Sequence, residues 1–289
     1  MTPEELSIQN RPSLDRPRMV LGFSGWMDGG DVSTGVVEDF AAKLDAEPLA
    51  EVDPGPFNLA SFPGSMEVSA LFRPHTKIED GLVVEYEEAD RRFLVCQDQN
   101  LILFLGKEPN FSWHRFGDCI FSVADAFDVS TIFFIGSVAG LVPHTREPRL
   151  YSSVSRPKLK EFLEPYRVRF SNYEGPASIS TYLTHRAQQT GKDMVTLVAE
   201  IPAYVQGINH RCIESVARHL AAMLRIQLDL DDLRELGDRL EEKLDEVVGQ
   251  RPDLEERIHG LEEDYDSEVF DTELGDLKEW LQQQGIRLD

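Results

Sequence analysis

Two stretches of this chain place acid, base and anion-holding side chains on short loops. Val142-Pro143-His144-Thr145-Arg146 follows the apolar run 131–137, and Gly25-Trp26-Met27-Asp28-Gly29-Gly30 follows residues 18–23. An imidazole near carboxylates performs general acid–base work, and a guanidinium holds a carboxylate or phosphate through paired hydrogen bonds. Glu108 before Pro109, Glu174 in Glu174-Gly175-Pro176, and Glu200 with Tyr204 occupy comparable places after or between other apolar runs. If those runs are strands of an open α/β sheet, the loops gather beyond the strand ends, where such sheets bind ligands. The candidate cluster is therefore Trp26, Asp28, Gly29, Gly30, Glu108, His144, Thr145, Arg146, Glu174, Glu200 and Tyr204.

Each of these has a quieter reading. Asp28 orders a turn or caps a helix, Glu108 pairs with Arg146 to lock adjoining loops, and Tyr204 lends its hydroxyl to a loop carbonyl. Trp26 and Trp113 read as core or interface aromatics. His144 is harder to explain by packing alone, because it shares one loop with Thr145 and Arg146.

The elements that must position this cluster are legible as alternating patterns. Residues 19–23, 82–86, 92–96, 101–105, 131–137 and 194–200 are short β-branched or aromatic runs that predict strands. Residues 31–44, with Val32, Val36, Val37, Phe40 and Leu44 at helical spacing, predict a helix that Asp31 or Ser33 caps. Residues 113–127, 177–189 and 208–224 predict further helices. The alternation implies an α/β fold with a mainly parallel sheet flanked by helices. Residues 46–77 carry Pro48, Pro54, Pro56, Pro63 and Pro74 and predict an irregular excursion.

At 289 residues the chain is long enough for one large domain, taken as 17–227, plus an extension, 228–289. The extension holds 22 acidic residues against 7 basic ones, so most of the formal charge of −23 resides there. Leu230, Leu233, Leu240, Leu244 and Val247 nevertheless keep an amphipathic spacing. A second stripe, Leu254, Ile258 and Leu261, follows Pro252, and Phe270, Leu274, Leu277 and Leu281 make a third. Short acidic helices are expected, packed on the body or a sister subunit, or docking a different protein.

The charge balance repels phosphate backbones and anionic bilayers, so neither nucleic acid nor membrane is an expected partner. Cys96, Cys119 and Cys212 lie far apart, form no CxxC pair and are expected to be reduced and buried. The N-terminal residues lack the pattern of a secretory leader and no apolar run reaches membrane-spanning length, which makes a cytoplasmic location the expectation. Familiar catalytic signatures are missing. Gly106-Lys107 is followed by Glu108 and lacks a P-loop's upstream glycine, and Gly22 and Gly25 do not make GxGxxG. Trp26 replaces the last glycine of a nucleophile elbow around Ser24, and no HExxH pair exists. No cofactor or metal is expected.

Taken in order, Gly25-Trp26-Met27-Asp28-Gly29-Gly30, Gly106-Lys107-Glu108-Pro109 with Trp113, Val142-Pro143-His144-Thr145-Arg146 and Tyr173-Glu174-Gly175-Pro176 resemble the PAC2 family, named for a proteasome assembly chaperone. The resemblance spans about residues 17–240. It implies a phosphorylase/hydrolase-like α/β fold and homo-oligomers, trimers among them, without established catalysis. Relatives in eukaryotes and archaea are linked to proteasome assembly, some docking by a hydrophobic-Tyr-X C-terminus. This chain ends Ile286-Arg287-Leu288-Asp289, and it reads Pro202-Ala203-Tyr204 where the family tends to show Pro-His-Tyr. The leading expectation is a non-catalytic protein-binding or assembly-chaperone-like protein. The alternative is a small-molecule hydrolase, phosphorylase or ligand sensor with its pocket at the loop edge of the sheet.

Overall fold

The computed structural model describes residues 2–70, 72–86 and 91–283, with side chains described as far as 270. Among the described residues eleven strands are formed: β1 (Leu6–Ile8), β2 (Arg18–Ser24), β3 (Glu47–Val52), β4 (Thr76–Glu79), β5 (Leu82–Tyr86), β6 (Arg91–Cys96), β7 (Leu101–Lys107), β8 (Thr131–Gly140), β9 (Arg149–Ser152), β10 (Arg169–Phe170) and β11 (Asp193–Pro202). The helices are α1 (Val32–Lys43), α2 (Met66–Ala70), α3 (Trp113–Ala126), α4 (Lys158–Leu163), α5 (Ile179–Thr190), α6 (His210–Leu224), α7 (Asp231–Gly249) and α8 (Pro252–Gln283).

Nine strands make one sheet in the order β1-β3-β6-β7-β2-β8-β11-β9-β10. The fold is α/β as expected, but the sheet is mixed rather than mainly parallel. β7, β2, β8 and β11 run parallel in the centre, whereas β1, β3 and β6 form an antiparallel wing and β9 is antiparallel to β11. The physical reason lies in the links. Only residues 97–100 join β6 to β7, and a connection that short makes a hairpin and not a crossover. The central strands are near-continuous apolar runs because helices cover both faces. Val20, Phe133, Ile135 and Leu197 bury against α1 and α6, and Leu21, Phe104, Phe134 and Met194 against α3 and α5.

The proline-rich excursion is more regular than expected. β3 joins the main sheet, and Pro48 is accommodated because the ladder shifts register between Pro48 and Ala50. Beyond it the chain leaves the body, and β5 pairs with β4 in a separate two-stranded hairpin rather than in the main sheet. Asp80 and Gly81 make its turn with φ of 49° and 81°, the two positive values a type I′ hairpin needs. Arg91 anchors the root of this arm. It is fully buried, donates from Nε to the Lys107 carbonyl at 3.0 Å and from Nη2 to Asn58 Oδ1 at 2.6 Å, and lies against the rings of Phe57 and Phe116.

The C-terminal extension forms two helices rather than several short ones. α8 runs through the second and third apolar stripes without a break from Pro252 to Gln283. Leu230 and Leu233 are buried in the α1–α6 core, whereas Val247 and Phe270 stay exposed. Leu274, Leu277 and Leu281 lie outside the described side chains, and Ile286 to Asp289 lie outside the described residues. Among the described residues no helix is long and apolar enough to cross a membrane, and no His, Cys, Asp and Glu group is placed to hold a metal ion. All three cysteines are buried, and burial pushes the Cys96 and Cys119 thiols up to about 11.

Candidate functional site

Parallel register brings four loops to one rim. Ser24 of β2 lies opposite Lys107 of β7, Gly22 opposite Ile135 of β8, and Pro202 of β11 opposite Gly140. The loops carrying Trp26 and Asp28, Glu108, His144 to Arg146, and Tyr204 therefore all leave the same carboxyl edge. Along that edge, however, the side chains divide into separate networks.

At the β7–β2 end, Glu108 ties two elements together. Its Oε2 accepts the Trp26 backbone N–H at 3.0 Å and its Oε1 accepts that of Ile179, the first residue of α5, at 3.4 Å. The expected Glu108–Arg146 pair is not formed, because this carboxylate accepts from two backbone donors and Arg146 is committed to Asp266 and Glu262. Gly25, at φ 133°, brings the chain within reach of that carboxylate. Replacing Glu108 with Ala leaves both N–H groups without this acceptor, and we expect a loss of about 1–3 kcal/mol in denaturant unfolding. A change below a few tenths would show that solvent replaces the carboxylate at no cost.

Asp28 does what its quieter reading predicts. Its carboxylate accepts the Thr34 N–H at 3.1 Å and the Thr34 hydroxyl at 2.8 Å, so it caps α1 from outside. Asp31 makes no cap with its side chain, and Ser33 is buried as a bridge, accepting from Phe23 N–H and donating to the Ile135 carbonyl. Gly30, at φ 65°, turns the chain beneath Asn209, whose N–H bonds its carbonyl at 2.9 Å; Ser137 Oγ bonds the Gly29 carbonyl at 2.7 Å. Burial raises the Asp28 pKa to about 6 against the lowering effect of Thr34.

A raised folded-state pKa means the fold binds the proton more tightly than the unfolded chain. This contribution is fully present below about pH 4 and is lost as pH rises through about 6. Asp28→Asn keeps an acceptor for the Thr34 N–H and removes the charge. The variant should match the natural protein near pH 4 and exceed its stability by about 1–2 kcal/mol at pH 7 in chemical denaturation. A variant less stable at pH 7 would mean that the ionised carboxylate is the better cap.

At the β8–β11 end, His144 is buried between two hydrogen bonds. The Tyr204 hydroxyl accepts the His144 backbone N–H at 2.8 Å, so its own proton points to Nδ1, also 2.8 Å away. Nε2 then carries the imidazole proton toward Asp245 Oδ1 of α7 at 3.1 Å. Burial pushes the Tyr204 hydroxyl up to about 12, which keeps it protonated in this relay. Tyr204 thus bonds His144 rather than a distant carbonyl. The adjacent Ala203 is exposed and its N–H bonds the Gly140 carbonyl, so an alanine is accommodated there.

The rest of this loop is clasped by the acidic helices. Arg146 meets Asp266 with two hydrogen bonds, at 2.9 and 2.8 Å, and reaches Glu262 at 3.3 Å. Thr145 donates to Glu262, and Glu200 is paired with Arg149, whose guanidinium also meets Glu268 and lies 4.6 Å from the Tyr265 ring. The space left beside His144 is about 20 Å³, room for about one water molecule. Glu174 is exposed on the loop before α5 and joins neither network among the described residues. Trp26, expected in a core or interface, is 78% exposed; Trp113 is half-buried and donates to the Pro109 carbonyl.

The chain's sequence and fold match those of a group of known proteins. A family model, the PAC2 family, matches residues 22–248 and so takes in the rim from β2 to the end of α7. The chain belongs to the PAC2 family. No curated protein matches it. A Mycobacterium tuberculosis protein of unknown function, Rv2714, has a similar crystal structure, with a TM-score of 0.82 and 21% identity over 95% of this chain and 93% of that one. The M. tuberculosis proteasome-assembly chaperone homologue Rv2125 follows, at 0.72 and 24% over 83% and 99%. Pyrococcus furiosus PbaB, an archaeal proteasome activator, gives 0.63 and 18% over 86% and 99%. At these identities the likeness is one of fold. This PAC2 member differs from a plain α/β layer in its arm and its acidic clasp. Neither the Asp245 partner of His144 nor the acidic partners of Arg146 were foreseen. The excess of acid in the extension was the available signal, but it does not say which acid meets which base.

Proposed function

We propose that this PAC2 family member is a non-catalytic, assembly-chaperone-like protein of the cytoplasm that binds copies of itself, three by preference, and through them other proteins. The observation that carries this reading is the arm. Ile78, Leu82, Val83, Val84 and Tyr86 are all more than half exposed, on both faces of an isolated hairpin, and Met66, in the helix that precedes it in sequence, is 86% exposed. A two-stranded hairpin is marginal in water on its own, and an apolar patch of this kind marks a protein contact.

The rim supports the same reading from the other side. His144 and Arg146 bond the chain's own α7 and α8, Glu200 is paired with Arg149 of β9, and the space among them is too small for a substrate. Two of the similar structures are named as a proteasome-assembly chaperone homologue and a proteasome activator, which favours protein binding over covalent chemistry. The exposed acidic surface of α7 and α8 is the proposed second contact, for a partner carrying basic groups. Co-expression of tagged and untagged copies tests the proposal. The untagged chain should co-purify with the tagged one, and its consistent absence would overturn the reading.

A further inference from the structure

A second and much larger cavity lies away from the clasped rim. It measures about 630 Å³ and opens between α5 and the strands β8, β11 and β9, with the Trp26–Met27 loop at one end. None of its lining residues comes from α7 or α8. Its size falls within the range of small-molecule pockets. The lining chemistry is unusual for a chain with so much charge: eight serines and threonines, three aromatics and His185, with no Asp, Glu, Lys or Arg.

One of those hydroxyls is unpaired, and others are held in ordered networks. Thr184 Oγ1 is buried and has no hydrogen-bond partner among the described residues, although a threonine in a helix has a carbonyl one turn back within easy reach. Ser180 Oγ shares a 2.7 Å hydrogen bond with Ser178 Oγ and lies 3.3 Å from the Met27 sulfur. Thr196 Oγ1 is fixed by the Ser153 N–H at 2.8 Å and presents an ordered hydroxyl to the cavity. The unpaired Thr184 donor carries a cost that an acceptor reaching it from a ligand would relieve. At the mouth, Trp26 and Tyr173 are 78% and 69% exposed, two broad aromatic surfaces with nothing stacked on them among the described contacts.

We infer that this cleft binds a small, neutral, polyhydroxylated ligand of the mono- or disaccharide class. The exclusions follow from the lining. A phosphate or carboxylate would find no cation and would enter against the field of a strongly acidic protein. A purely apolar ligand would leave the Thr184 hydroxyl unpaired and strip water from the remaining polar lining. A sugar offers what both halves of the site lack: hydroxyls for the Thr184 side, and a flat C–H face for Trp26 and Tyr173.

Calorimetry and saturation-transfer NMR on the full-length protein test this, using maltose, trehalose and glucose as neutral probes and glucose 6-phosphate as the anionic one. At least one neutral sugar should bind saturably, and the phosphorylated sugar should bind no more tightly than glucose. Trp26→Ala and Thr184→Val should each weaken binding about 10-fold or more. Trp26 is so exposed that its replacement should leave the melting temperature near that of the natural protein, separating lost binding from lost folding. Absence of saturable binding to every neutral sugar, tighter binding of glucose 6-phosphate, or unchanged affinity in Trp26→Ala would overturn the inference.

Discussion

A chain ending at Ile226 should melt on the order of 10 °C below the full-length protein, since the cut removes two buried leucines at about 1.5–3 kcal/mol each. Leu230 and Leu233 pack in the same core as Val36, Ile213 and Val216, so α7 is bound to the sheet layer and is not an independent appendage. The cut also strands charges. His144 loses Asp245, Arg146 loses Asp266 and Glu262, Arg211 loses Glu241, and Lys43 loses Asp232. The polar part is smaller than the leucine part, because exposed pairs contribute about 0–1 kcal/mol each and three of these five partners are more than half exposed. Thermal unfolding followed by circular dichroism reads the difference. An unchanged transition would mean that the extension rests on the body without stabilising it.

The second large effect concerns assembly. Ile78→Glu with Val83→Glu places two carboxylates at directly paired positions of the hairpin. Both sites are more than half exposed in the single chain, so the body should lose little stability. If the arm is buried between copies, each new charge is desolvated there without a counter-ion, and the pair should weaken association at least ~100-fold. Sedimentation velocity should then show a single-chain species at concentrations where the natural protein is assembled. Equal sedimentation of the two proteins would place the self-contact elsewhere on the surface.

What the residues disclosed and what they hid follow from the range of the forces involved. The runs that became β2, β7, β8 and β11 were legible because burial on both faces demands continuous apolar sequence. The stripes of α1, α3, α5 and α6 were legible for the matching reason of helical period. Strand direction was not legible from composition, although the four-residue link between β6 and β7 contained it. Asp80-Gly81 between two alternating runs was the sign of a hairpin, obscured by reading 46–77 as irregular. β3 was hidden by Pro48, which a register shift accommodates. At the rim, chain order was enough to bring the loops to one edge, but not to tell a cluster from a row of separate anchors. Arg146 meets Asp266, 120 positions later, and nothing local to Arg146 encodes that choice. The hydroxyl-lined cleft was invisible for a similar reason, since its residues come from five separate segments and none forms a motif.

The central claim is that the exposed arm exists to be covered by another copy of this chain. Multi-angle light scattering of the natural protein at micromolar concentration tests it most directly. The account predicts a mass that is a multiple of 32.7 kDa, three-fold for the proposed trimer, which falls to one chain's mass when the arm carries the two glutamates. A natural protein that stays at 32.7 kDa throughout the micromolar range would contradict it.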